Sequence, residues 1–393
     1  MTNATHLTRA YIHLDRLAHN MRLLQSLAGS RPLWPAIKAN AYGHGSEIIA
    51  RHLIKLGYST LCLAHVTEAT DLIKAGVRAR FLVLSATLPE HSETIVLNGC
   101  EPAVCTYEMV EALARDARRL GVRLPIHIIV DTGMGRIGIP PAEVAGFIQR
   151  CRKFPSLRIR GLMSHFPCAD KRDKTFSRVQ IECFQRVVEQ IQSDAIEVRH
   201  MANSAAIFDL PEAHFDAARP GIAIYGLSPS DEIINPYVKQ LKPVFEWKTQ
   251  ITFLKEVPSG TGLSYGHCYH TTQPSLIATI PIGYGDGLRR NLSNTLEVLI
   301  GGVRCPQVGQ ITMDQSLIDV TALRGRVRQG DEVVIIGVQN NEEIKADELA
   351  AKLGTINYEV VTGVATRIPR VVIGEHEVLP KLENNFRLAE KFT

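Results

Sequence analysis

Up to about residue 228 short apolar runs alternate with amphipathic segments of helical period, and no other feature restricts the fold of this chain as tightly. The runs end near Lys38, His65, Ser85, Cys105, Asp131, His165, Asn203 and Arg219. Eight strand-helix units in such a span predict an α/β architecture, a closed (β/α)8 barrel of the TIM type. The intervening stripes fit: Leu17, Met21 and Leu24 after Asp15, Met109, Leu113 and Leu120 before Gly121, and Phe176, Val179, Cys183, Val187 and Ile191. The segment from Ser228-Pro229-Ser230-Asp231 to Pro236 breaks this rhythm. Beyond it, runs at 249–253, 276–282, 296–300 and 333–336 predict a mostly β C-terminal domain with one short helix near 346–353. A chain of 393 residues is long for one domain, and we expect two: a barrel over 1–235 and a β domain over 236–393.

The net charge of +4 arises from 44 basic and 40 acidic residues scattered without a Lys/Arg run, so no nucleic-acid partner is expected. Met1 to Ala10 lacks a basic segment followed by an apolar stretch, and no apolar run approaches the roughly 18 residues of a membrane span. The eight cysteines fall singly, with no zinc-type spacing, which fits reduced thiols in a cytoplasmic protein and no metal site.

Barrel enzymes carry their chemistry at the C-terminal ends of the strands. Those positions hold Lys38, Tyr42, His165, Asn203, Ser204, Arg219 and Gly221, with Asp131 and Arg136 in the fifth loop. Lys38 follows Leu33-Trp34-Pro35-Ala36-Ile37, so it stands at the mouth with an apolar wall behind it. A desolvated lysine has a lowered pKa and serves as a nucleophile or base, whereas a lone lysine after a strand is ordinarily solvated surface.

Its neighbours decide the matter. The stretch Lys38-Ala39-Asn40-Ala41-Tyr42-Gly43-His44-Gly45 resembles the cofactor-lysine motif of the alanine racemase family. The resemblance continues in order through Asp131-Thr132-Gly133-Met134-Gly135-Arg136, Met163-Ser164-His165-Phe166, Asn203-Ser204-Ala205, Arg219-Pro220-Gly221-Ile222, Ser264-Tyr265-Gly266, 281–287, 312–315 and Ile356-Asn357-Tyr358-Glu359.

This resemblance implies a cofactor, pyridoxal 5'-phosphate, held on Lys38 as a Schiff base. It implies Ser204, the amides near Gly221 and Ile222, and the Tyr42 and Tyr358 hydroxyls for the phosphate, with Asn203 alongside. It sets Arg219 against the pyridine nitrogen, where a group that keeps its proton disfavours protonation of the ring and restrains side reactions. His165 is the implied buttress of Arg219. Tyr265 is the implied second base opposite Lys38, reaching the site of a partner subunit, so a homodimer with composite sites is expected. Arg136 and the Met313 amide are the implied holders of the substrate carboxylate. Tyr284, Ile356 and Tyr358 are the implied residues that narrow the entrance, and a tyrosine at 358 favours alanine over serine. The implied activity is interconversion of L- and D-alanine by two bases, supplying D-alanine for peptidoglycan or degrading it.

Three other readings stand beside it. A serine or broad-specificity racemase would need a more open entrance than Tyr358 suggests. A non-catalytic pyridoxal phosphate binder would need neither Tyr265 nor a β domain, and a barrel decarboxylase would want a carboxylate where Arg219 stands. The run Gly133-Met134-Gly135-Arg136-Ile137-Gly138 matches a dinucleotide fingerprint by spacing alone. It runs into Pro140-Pro141, and no acidic residue follows at the required distance. One position departs from the family: many members carry a carbamylated lysine two residues before the Asp131 position, where this chain has Ile129. Arg136 is therefore expected to rely on another side chain or a bound anion.

Overall fold

The computed structural model describes residues 6–191 and 196–374. The outer limits of the two expected domains, residues 1 and 393, lie outside the described residues, as do the first five residues of the N-terminal stretch. The chain forms two compact units, with division points at Leu14/Asp15, Asn40/Ala41, Gly45/Ser46 and Lys242/Pro243.

The larger unit is the expected barrel. Six parallel strands, Thr60–Leu63, Arg80–Val83, Glu101–Val104, Leu124–Ile129, Leu157–Met163 and Val198–His200, pair in chain order. Two shorter segments complete eight staves. Residues 33–37 bridge Cys62 through Ala36, residues 217–218 bridge His200 through Ala217, and the two meet at Leu33 and Ala218. The closure is hydrogen-bonded: Trp34 N donates to Ala218 O at 2.8 Å and Ala36 N to Pro220 O at 2.8 Å. Strands such as Thr60–Leu63 and Glu101–Val104 are buried at every position, as strands covered on both faces must be.

Helices alternate with the strands. Leu14–Ala28 buries Leu17, Met21 and Leu24, and Tyr107–Arg119 buries Met109 and Leu113. The helix Thr175–Ile191 corrects the sequence reading. Its buried face is Ser177, Gln180, Ile181, Phe184 and Val187, while Phe176 and Val179 are 46% and 49% exposed. The face is turned because Gln180 Nε2 donates to Thr132 Oγ1 and to His165 O, each at 3.2 Å, so a polar side chain occupies the inward stripe.

The second unit is mostly β. Its ten-stranded sheet runs in the order Arg370–Ile373, Arg9–His13, Phe245–Gln250, Glu332–Gln339, Glu297–Ile300, Val303–Val308, Ser316–Asp319, Ser275–Ile280 and Phe253–Val257, with Glu342–Ile344 paired to Glu332–Gln339. The run expected at 249–253 is the junction of two strands, because Gln250 ends one and Phe253 opens the next. The predicted helix is present as Ala346–Leu353, and a second, Asn357–Thr362, follows it.

Candidate active site

Lys38 stands at the end of the first stave. Ile37 N donates to Cys62 O at 2.9 Å, and the Tyr225 hydroxyl donates to Ala36 O at 2.8 Å, so the backbone beneath the lysine is fixed. The chain then makes one helical turn over Lys38–Tyr42 in which Ala39, Asn40, Ala41 and Tyr42 all have φ between 51 and 54°. A left-handed turn of four non-glycine residues costs roughly 1–2 kcal/mol per residue. In the barrel unit the surroundings hold it. Ala39 N donates to Glu68 Oε1 at 2.6 Å, Glu68 Oε2 receives Ala64 N at 2.8 Å, and Asn40 Oδ1 receives Ser46 N at 2.9 Å. Strain concentrated beside a reactive group marks a functional segment.

A cavity of about 300 Å³ opens here, lined by Lys38, Arg136, His165 and Arg219 together with Ile129 and Met163. Among the described residues the Lys38 ammonium makes no hydrogen bond or ion pair. Burial, followed by the Arg136 charge, lowers its pKa from the ordinary lysine value. The same causes act on His165, where burial and then Arg219, Arg136 and Lys38 push the imidazole down to about 3. Burial lowers Arg219 to about 10, which leaves it charged at neutral pH.

Arg219 is held from behind. Its Nη1 donates to His200 Nδ1 and, at 2.9 Å, to His200 O, and its Nη2 donates to Ser164 O at 2.7 Å. The histidine that bonds Arg219 is thus His200, not the predicted His165, whose ring makes no hydrogen bond among the described residues. His165 lines the same cavity and contributes its backbone carbonyl to Gln180. Sequence reasoning passed over His200 because it lies inside a buried strand.

Two residues beyond Arg219, Gly221 N donates to Ser204 Oγ at 2.8 Å and Ala223 N to the same oxygen at 3.3 Å. The Ser204 hydroxyl keeps its own proton for an outside acceptor such as a phosphate oxygen. Ile222 is buried beside it, opening the short helix Ile222–Tyr225. Asn203 caps the helix Ser204–Asp209, its Oδ1 receiving Ala206 N at 3.0 Å.

Arg136 is exposed and makes no hydrogen bond or ion pair among the described residues, so the side-chain partner expected in place of a carbamylated lysine is not found there. Ile129 belongs instead to an apolar cluster with Ala103 and Met163. The glycine-rich decoy is a loop folded on a carboxylate: Gly133 N and Gly135 N both donate to Asp131 Oδ1 at 3.0 Å. At Gly138 a Cβ would lie 2.6 Å from Asp131 N, so close backbone approach explains that glycine without a nucleotide.

The β-rich unit carries the remaining predicted residues. Tyr42 and Tyr358 stack obliquely with ring centroids 6.2 Å apart. Gly43 beside them has φ 84°, and a Cβ there would lie 2.1 Å from Val361 O, so no other residue fits. Tyr284 N donates to Thr312 O at 3.0 Å and Gly285 N to Met313 O at 2.9 Å, which sets Tyr284 beside Met313. Tyr265 sits on a turn in which Ser264, Gly266 and His267 all have positive φ, pinned by Ser264 Oγ donating to Gln310 O at 2.7 Å.

An amine with no partner among the described residues, beside an arginine that stays charged at neutral pH and at the C-terminal mouth of a parallel barrel, defines a class of enzymes that bind a small anionic ligand and work on it by nucleophilic or acid-base chemistry. Comparison narrows the class. Residues 12–229 match the family profile "Alanine racemase, N-terminal domain" and residues 244–372 match "Alanine racemase, C-terminal domain". The chain is 42% identical to the alanine racemase of Halothermothrix orenii, covering 92% of this chain and 96% of that one. It is 40% identical to that of Clostridium novyi, covering 94% and 96%. The alanine racemase of Clostridium difficile 630, solved as a complex with cycloserine, superposes with a TM-score of 0.89 at 32% identity over 96% of this chain and 98% of that one. The chain belongs to the alanine racemase family.

Proposed function

We propose that the protein interconverts L- and D-alanine with pyridoxal 5'-phosphate on Lys38. The observation that carries this reading is the Lys38 amine, without a partner among the described residues and lowered in pKa, in one cavity with Arg219. Held by Lys38 at rest, the cofactor would supply an electron-withdrawing ring that acidifies the α-hydrogen of an amino acid whose amine has displaced Lys38 from the aldehyde carbon, leaving the Lys38 amine free. The donor set suits it: a free amine for the aldehyde, the Ser204 hydroxyl with the Gly221–Ile222 segment for the phosphate, and a charged Arg219 for the ring nitrogen. In this reading Asn203 supports Ser204, His165 keeps its neutral ring beside Arg219, and the Tyr42 and Tyr358 hydroxyls complete the phosphate site.

Lys38 Nζ moves a proton on one face of the α-carbon and Tyr265 Oη on the other, since a single group would have to cross the substrate plane to invert it. Arg136 and the Met313 amide hold the carboxylate. With no side chain steadying Arg136 among the described residues, a bound anion does so. Tyr284, Ile356 and Tyr358 restrict the entrance to a methyl-sized side chain. Tyr265 comes from a second copy, so the working unit is a homodimer acting in the cytoplasm, each chain carrying a cofactor part within 1–235, whose Arg9–His13 strand joins the β sheet, and a β part over 236–393. The eight cysteines, free in the structure, fit a reducing compartment. No described helix is long and apolar enough to cross a membrane. The D-alanine serves peptidoglycan, or is consumed when the reaction runs in reverse.

Chiral analysis after incubation of the cofactor-loaded protein with L-alanine should show D-alanine, with L-serine turned over more slowly. Lys38→Ala should lose both the activity and the cofactor absorbance. Absence of D-alanine overturns the reading, and equal turnover of serine moves it to a broad-specificity racemase.

A further inference from the structure

Barrel interiors are ordinarily filled by branched apolar side chains, yet a line of charged and polar groups runs through this one. Arg219 Nη1 contacts His200 Nδ1, His200 Nε2 lies 2.9 Å from His127 Nδ1, and His127 Nε2 lies 2.8 Å from Glu101 Oε2. Both histidines are 0% exposed, and Glu101 and Arg219 are 4% exposed. At the far end Arg160 Nη1 donates to both Glu101 oxygens at 2.6 Å, and Arg80 Nε pairs with Oε1 at 3.1 Å. Groups this deep are costly unless every member is satisfied, and a packed apolar core would serve stability as well.

The two ends dictate every proton between them. A guanidinium can only donate and a carboxylate can only accept. Glu101 takes the His127 Nε2 proton, which leaves His127 Nδ1 bare, so His200 must donate to it from Nε2. His200 Nδ1 is then bare and receives Arg219. Reversing either tautomer sets donor against donor. Burial lowers the pKa of both histidines, which keeps each ring neutral, as a one-proton relay needs. Burial raises the Glu101 carboxyl, and the hydrogen bond from His127 with the Arg160 and Arg80 charges more than reverses this, leaving it ionised.

We propose that Glu101 and His127 are positioning residues for Arg219. They hold His200 as its Nε2–H tautomer, so that a bare Nδ1 fixes the guanidinium while its Nε–H, which makes no hydrogen bond among the described residues, remains for a ligand in the cavity. The packing is built around this line. Trp34 meets the edges of both imidazoles, with centroids 6.0 Å from His127 and 4.9 Å from His200. Gly161 is registered opposite His127 on the neighbouring strand, and a Cβ there would lie 2.0 Å from His127 Nδ1. The register pair His127 and Gly161 is thus the sequence-visible mark of the line.

The inference rests on the proposed reading only for what Arg219 faces, and its first test needs no cofactor. Apoprotein labelled with 15N-histidine should give His127 and His200 as Nε2–H tautomers in long-range proton-nitrogen spectra, and an Nδ1–H tautomer at either ring overturns the proposal. Two substitutions then separate positioning from packing. In His127→Gln the side-chain oxygen accepts from His200 and the amide donates to Glu101, so the His200 tautomer and turnover should stay close to wild type. In His127→Leu the His200 signals should shift or divide between tautomers. The loaded variant should lose roughly 10- to 100-fold in kcat with a smaller change in KM, as outer partners of a functional histidine commonly cost. Unchanged His200 signals and full turnover in His127→Leu, or equal losses in both variants, overturn the proposal. If no D-alanine forms in wild type, the racemase reading fails while the tautomer result stands on its own.

Discussion

The two units treat their polar residues in opposite ways. In the barrel unit Arg219, His200, His127 and Glu101 are enclosed by the strands that carry them, and each is bonded to the next. In the β-rich unit Tyr265, Ile356, Met313 and Tyr284 stand out at 74%, 59%, 54% and 44% exposure. The first group is organised by its own chain before any ligand arrives. The second is a set of exposed side chains whose surroundings, under the proposed function, a second copy completes. Loss of an enclosed residue should therefore cost stability and activity together, and loss of a presented one should cost activity alone.

The largest separation is expected at Tyr265. Tyr265→Phe should lower racemisation about 10²- to 10⁴-fold, the usual contribution of a positioned acid-base group, while changing unfolding free energy by less than about 0.5 kcal/mol. Chiral turnover and urea unfolding on one preparation check both halves. A variant that unfolds readily would show Tyr265 to be part of a core and erase the contrast.

Glu101 is the counterpart in the barrel. Glu101→Leu removes the acceptor of the buried His127 donor and one partner each of Arg160 and Arg80, and breaking a buried pair in this way costs about 3–5 kcal/mol. A denaturation midpoint unchanged from wild type would mean that the line through the barrel contributes nothing to folding.

These residues also mark the boundary of what the sequence discloses. The barrel was legible because eight apolar runs recur at strand-helix spacing, and Lys38 and Arg219 stood out as candidates because they follow such runs within motifs that resemble those of the family. The line behind Arg219 was not, since Glu101, His127 and His200 sit on three separate strands and only their three-dimensional register joins them. The left-handed turn at 39–42 was hidden because Ala39-Asn40-Ala41-Tyr42 contains no glycine and reads as ordinary helix. The stripe expected on Thr175–Ile191 failed because hydrophobicity cannot anticipate an inward Gln180 whose amide serves two loops.

Among the enclosed titratable groups of the β-rich unit, His44 offers a comparison in acid. Its Nδ1 lies 3.0 Å from Ala41 O and 2.9 Å from Tyr42 O, and burial lowers its pKa from 6.5 to about 4. As pH falls from 6.5 towards 4, the unfolded chain binds a proton that the folded chain refuses. The contribution is fully present above 6.5 and about 3 kcal/mol is lost by pH 4. Urea midpoints across this range should fall more steeply for wild type than for His44→Gln, and parallel slopes would remove His44 from the acid response.

The smallest effect should come from the ion network on the surface of the β-rich unit. Arg304 reaches Glu348 at 2.9 Å and Glu297 and Glu342 each at 3.3 Å, but the group remains about one-third exposed. Water screens such charges and their long side chains lose freedom when paired, so Arg304→Met should cost only about 0–1 kcal/mol, and less at high salt. Set beside Glu101→Leu, the same kind of ion pair differs several-fold in worth by depth alone. Unfolding curves of both variants at low and high salt measure that ratio, and a salt-independent loss at Arg304 as large as that at Glu101 would show that burial does not govern how this chain uses its charges.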